Sequence, residues 1–167
     1  HPEPSAQTMD AVPSHPKTPT SERRLPPLLR KAWFGLNQAF RTRISSFGLT
    51  PDQFSVLRWI SESNDGALTQ TAITSAMASD PNTIASLVRR MEQSGLVTRG
   101  RHANDARAKA VTLTPKGVEA LHAAAEVALD LQDHVLSSLP PERRDGFLAD
   151  LSTVGLACQA ANRAGAR

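Results

Sequence analysis

The sequence predicts a mainly α-helical fold carrying one small β-hairpin. Three observations predict it. Apolar residues recur at three- and four-residue steps over most of the chain, the period of helices that bury one face. Those runs are punctuated by Thr50-Pro51, Asp80-Pro81 and Thr114-Pro115, each an N-cap side chain followed by a proline suited to the first helical position. Only Leu96–Arg99 and Ala110–Leu113 read as strand, joined by a polar stretch with an Asn104-Asp105 turn signal.

Taken in order, residues 1–21 read as an irregular arm. Seven of the twelve prolines fall in the first 27 residues, among Ser, Thr and His, with too little apolar surface to offset the entropy of ordering. Leu29, Trp33, Leu36, Phe40, Ile44 and Phe47 define a long first helix over about 22–46, ended by Gly48. Thr50 then caps a second helix. Gln53 completes a capping box and Leu49 can staple against Phe54. That helix runs to about Ser63, where Asn64-Asp65-Gly66 turns the chain. A short helix, Thr69 to Met77, precedes one opened by Asp80-Pro81 and ended by Gly95, with Ile84, Leu87, Val88 and Met91 on one face. After the hairpin, Thr114-Pro115 opens a long helix to about Ser138. Pro140-Pro141 breaks it, and a last helix carries Phe147, Leu151, Val154 and Cys158.

Composition removes several classes. A chain of 167 residues suits one domain with a tail. No apolar run approaches the roughly 18 residues of a membrane span. One cysteine excludes an intrachain disulfide framework and a cysteine-based zinc site. The opening His1-Pro2-Glu3-Pro4 lacks the basic-then-apolar layout of a secretion signal, so a cytoplasmic location is the expectation. Serines are plentiful, but no G-x-S-x-G turn or Gly-rich phosphate loop occurs, so no enzyme and no cofactor are expected.

Charge is informative once resolved along the chain. The net charge is only +3. Between Asn82 and Lys116, however, Arg89, Arg90, Arg99, Arg101, Arg107, Lys109 and Lys116 face only Glu92 and Asp105, an excess of +5 that leaves −2 for the remainder. Charge runs are commonly just solvated faces. This one coincides with the helix that sets Asn82, Ser86, Arg89, Arg90 and Gln93 opposite its apolar face and carries Thr83 at its N-terminal end. Short helix, turn, polar-faced helix and hairpin is the order of a winged helix-turn-helix, whose reading helix docks by one face and presents the other to base edges and phosphates. The expected partner is double-stranded DNA. The alternative is an interaction module whose basic face binds an acidic protein. That alternative would require exposed aromatic or aliphatic anchors where Asn82, Thr83 and Ser86 stand.

Gly95-Leu96-Val97-Thr98-Arg99, with Asn104-Asp105-Ala106-Arg107 and Val111-Thr112-Leu113-Thr114-Pro115-Lys116-Gly117, resembles the wing signature of MarR-type transcription factors: an Asp-x-Arg pair, then a V-x-L-T-x-x-G strand exit. The resemblance spans about residues 25–160. It implies a homodimer formed through the N- and C-terminal helices (22–48 and 116–163) around a winged domain at 49–115, facing a pseudo-palindromic operator. It implies that Arg107 enters the minor groove with Asp105 orienting it; Arg101 and Lys109 are expected DNA contacts from the basic segment itself. The resemblance further implies a repressor relieved by a small effector held above the winged motif. Trp33, Phe40, Arg43, Phe47, Arg58 and Trp59 are the candidate lining, and the two arginines suit the carboxylate of an aromatic or phenolic acid.

Blander readings stand beside these. The aromatic residues of the first two helices, Trp33, Phe34, Phe40, Phe47, Phe54 and Trp59, read first as core. Cys158 reads as an inert core residue, and oxidant-sensing relatives carry their cysteine near the start of the body, where this chain has none. Asp130, Asp133 and His134 share a helix face at metal-ligand spacing, but a solvated face is the simpler reading and no metal is expected. No second ligand cluster stands out beside that face, and His102 reads as a wing residue near phosphate.

Overall fold

The structure is a computed structural model describing residues 23–101 and 109–165. The Pro-rich arm and the wing segment holding His102, Asp105 and Arg107 lie outside the described residues. The chain divides into two compact units after Leu36. Its elements are α1 (Leu25–Ile44), a 3-10 turn (Ser45–Phe47), α2 (Pro51–Glu62), β1 (Ala67–Thr69), α3 (Gln70–Ala76), α4 (Pro81–Gln93), β2 (Val97–Arg101), β3 (Lys109–Leu113), α5 (Pro115–Leu136) and α6 (Pro141–Gly165). Among the described residues no helix is long and apolar enough to cross a membrane.

The start signals read from sequence all operate. Thr50 accepts from the Gln53 N–H at 3.3 Å while its own N–H donates to Gln53 Oε1 at 3.1 Å, a closed capping box. Thr69, Asp80 and Thr114 cap α3, α4 and α5 by accepting from the backbone N–H three residues on. Both helices of the helix-turn-helix end in the same six-residue closure. In α4, Gly95 at φ 74° lets Leu96 N–H reach Met91 O at 2.9 Å. In α3, Ser79 N–H reaches Thr74 O at 3.1 Å, but the left-handed position is filled by Ala78 at φ 48°.

The second unit has one core. Ile84, Leu87, Val88 and Met91 sink from α4 against Val56, Leu57 and Ile60 of α2, Ile73 of α3, Leu96, Val97 and Val111 of the sheet, and Leu121 and Ala124 of α5. Each fully buried aliphatic side chain contributes about 1.5–3 kcal/mol over an exposed one, which fixes α4 with its polar face outward.

Two differences from the sequence reading have physical causes. The sheet has three antiparallel strands in the order β1-β3-β2. β1 is too short to show a period, and its partners lie over 40 residues away (Ala67↔Thr112, Leu68↔Val111, Thr69↔Ala110). The aromatic residues are mostly not core: Phe54 is buried and Phe40 half-buried, but Trp33 is 68% exposed and Phe34 70%, and Phe47 and Trp59 are exposed too. Cys158 is likewise exposed. A helical period specifies that a face is apolar, not that the same subunit covers it.

Candidate nucleic-acid interface

The reading face is built from α4 upward. Its first turn is pinned by Asp80, whose carboxylate accepts from the Thr83 N–H at 2.9 Å and also from the Thr83 hydroxyl. These bonds, the hydroxyl first, hold the Asp80 carboxyl below the ordinary carboxylate value. Asn82 and Thr83 are exposed beside this cap, Ser86 is half-buried a turn on, and Arg89 and Arg90 are exposed beyond it. The Thr83 hydroxyl hydrogen is committed to Asp80, so its oxygen is left mainly as an acceptor.

The wing begins where α4 ends. β2 and β3 pair antiparallel, with Arg99 opposite Val111 and Arg101 opposite Lys109. Arg101 and Lys109 are exposed. With Glu92, Arg99 and Gly100 they line a concavity of about 360 Å³ at the foot of the wing. The structure therefore brings Asn82, Thr83, Ser86, Arg89 and Arg90 onto one helix, and Arg101 and Lys109 onto the adjoining strands.

Two residues counted in the basic segment are otherwise employed. Arg99 bonds both carboxylate oxygens of Glu92, Nε to Oε2 at 3.1 Å and Nη2 to Oε1 at 2.9 Å. That bond lowers the Glu92 carboxyl and raises the Arg99 guanidinium. Lys116 Nζ donates to Ser94 O at 2.7 Å, satisfying the end of α4. Sequence reasoning missed both; opposite charges flanking the Gly95 turn were the available signal for the first.

This geometry has known counterparts. The sequence model of the MarR family matches residues 49–109. The chain is 33% identical over 114 residues to a transcriptional regulatory protein for the hcr operon of Thauera aromatica, covering 68% of this chain and 67% of that one. It is 31% identical over 126 residues to the transcriptional regulator HosA of Escherichia coli, covering 72% and 92%. The chain belongs to the MarR family. Its fold is also similar to MepR of Staphylococcus aureus in a complex with DNA, with a TM-score of 0.69 at 25% identity over 78% of this chain and 95% of that one. As a MarR-family protein the chain is a DNA-binding transcriptional regulator with a winged helix.

The residues expected to line an effector site fall in both units. Trp33 lies in the first unit and is exposed. In the second unit Phe40 meets Phe54 edge to face, with centroids 5.0 Å apart, and the Arg58 guanidinium carbon sits 4.6 Å from the centroid of the Phe54 ring. Arg43 instead lines an open cleft of about 390 Å³ with Val127, Asp130, Leu131 and His134. Phe47 and Trp59 are exposed outside that cleft. Among the described residues, no three His, Cys, Asp or Glu side chains gather as a metal site would require.

Proposed function

We propose that this MarR-family chain is a homodimeric, ligand-responsive repressor that reads a pseudo-palindromic operator. The observation that carries the reading is α4. Its apolar face is buried to the last residue, while Asn82, Thr83, Arg89 and Arg90 point outward beside the basic foot of the wing. Asn82, Thr83 and Ser86 serve base edges; Arg89 and Arg90 serve guanine edges or phosphates; Arg101 and Lys109 serve phosphates; Arg107, with Asp105 as its orienting partner, serves the minor groove.

Dimerisation draws support from exposed apolar side chains that a solitary subunit would leave in water. α1 exposes Leu25, Leu28, Trp33 and Phe34, and α6 exposes Phe147, Leu148, Leu151 and Leu156. The effector proposed is a small aromatic or phenolic acid. Its carboxylate would meet Arg43 in the cleft with Val127 and Leu131, while Phe40, Phe47, Arg58 and Trp59 are the second unit's candidates for its ring.

Sequences selected by the purified protein from a random duplex pool test the reading. A two-fold repeated site with half-sites about 10–10.5 base pairs apart, bound more weakly as salt rises, is the expected result. Capture of an acidic protein with no DNA shift would reverse it. A thermal-shift screen of aromatic acids and their thioesters, followed by DNA release with any hit and its loss in Arg43→Ala, tests the effector.

A further inference from the structure

The foot of the wing poses a mechanical problem. β1 backs β3 only at Ala110, Val111 and Thr112, so beyond Gly100↔Ala110 on the outer side the Arg101↔Lys109 rung has no third strand. A two-stranded ribbon is marginal by itself. That rung also sets two cations directly opposite one another, which opposes pairing. Its direction relative to α4 must be fixed from outside the ribbon.

The bidentate Glu92–Arg99 bond lies two residues inward on β2, where Arg99 pairs with Val111 and β1 still backs the ribbon through Leu68. Glu92 is in the last turn of α4 and Arg99 is on β2, and the bond closes across the Gly95 turn. Arg99 and Arg101 are two apart on the strand and so share a face. Glu92 is the one carboxylate among the residues that line the concavity with Arg101 and Lys109, and Lys109 also helps keep it ionised. The planar guanidinium fork imposes an orientation that a point charge would not.

We infer that Glu92 and Arg99 are a positioning pair that aims the wing, holding Arg101 and Lys109 at phosphate distance when α4 is seated. The inference rests on the DNA-binding reading above. Both side chains keep about a third of their surface in water (32% for Arg99, 36% for Glu92), so their contribution is to geometry and little to stability.

The full chain is tested on the duplex it selects from a random pool. Charge bookkeeping alone predicts that Glu92→Gln tightens binding, because a carboxylate near phosphates is removed. Positioning predicts the reverse, a loss of roughly three- to tenfold. It also predicts that the slope of log affinity against log salt shrinks by about 1–2, since phosphate contacts are lost. Arg99→Lys keeps the charge and loses the fork, and is expected to behave like Glu92→Gln while melting within a few degrees of the parent. Glu92→Gln binding as tightly as the parent or tighter, Arg99→Lys binding at the parental level, or weakening with an unchanged salt slope would each overturn the inference. A parent that selects no sequence overturns the DNA reading itself, and that result appears before any variant is made.

Discussion

Gly117 is the position where one added methyl group is expected to do the most damage. It is the third residue of α5, and its N–H donates to the Thr114 cap at 3.0 Å. A Cβ there would stand 2.0 Å from the carbonyl oxygen of Leu96, where real Cβ atoms stay beyond 3.0 Å. The obstacle is backbone and cannot swing aside, so α5 must back away by about 1 Å or the turn must open. Overpacking of this kind costs about 1–3 kcal/mol. Withdrawal also strains the Thr114 N–H to Leu96 O bond and the Thr114 hydroxyl bond to Gly95 O, each contributing about 1 kcal/mol net. Against this, alanine gains about 1 kcal/mol in helix propensity. The net expectation for Gly117→Ala is a loss of about 2–4 kcal/mol, which lowers Tm by roughly 5–15 °C for a chain of this size. Thermal unfolding by circular dichroism at one fixed chain concentration measures it. Lys116→Ala, one residue earlier, forfeits only the Nζ bond to Ser94 O and is expected to cost about 1 kcal/mol or less. A Gly117→Ala protein that melts at or above the parental temperature would refute the close-approach argument, because propensity would then have outweighed the clash.

Three further outcomes are expected. Ala78→Gly removes the left-handed penalty at the end of α3 and is expected to stabilise the protein by about 0.5–1 kcal/mol in denaturant unfolding, with unchanged DNA affinity. Arg89→Ala, which leaves the buried face of α4 untouched, is expected to weaken operator binding by about tenfold per site in titrations followed by fluorescence anisotropy, with little change in Tm. Asp80 and Glu92 have folded values below their ordinary 3.8 and 4.5, so the unfolded chain binds more protons in that window. Their stabilisation is full above the ordinary values and is lost as pH falls through the lowered ones. Tm should therefore decline below about pH 5, and Asp80→Asn, which keeps a cap, should flatten that decline.

The helices were legible because their signals are local. Thr50-Pro51 with Gln53, Asp80-Pro81 and Thr114-Pro115 each placed a helix start at the observed residue, since a cap is a contract between residues three apart. β1 was illegible for the converse reason: Ala67-Leu68-Thr69 acquires strand character only from pairing with Ala110–Thr112. The polar face of α4 was legible from periodicity alone. The exposure of Trp33, Phe34 and Trp59 was not, because an apolar stripe looks the same whether its own subunit or another covers it.

The charge along the chain shows the same division between what a sequence counts and what a fold assigns. Seven cations between Asn82 and Lys116 looked equivalent as a list. Folded, Arg99 is bound by Glu92 and Lys116 is spent on the carbonyl of Ser94, both at the joint where α4 turns toward the wing. Arg89, Arg90, Arg101 and Lys109 are the exposed cations that remain on the described part of this surface. A basic segment that binds a rigid polyanion needs more than charge, because each cation must reach a phosphate whose position is set by the others. Tying Arg99 to Glu92 in the joint orders the rest, so the segment without Glu92 would be more positive and less able to bind.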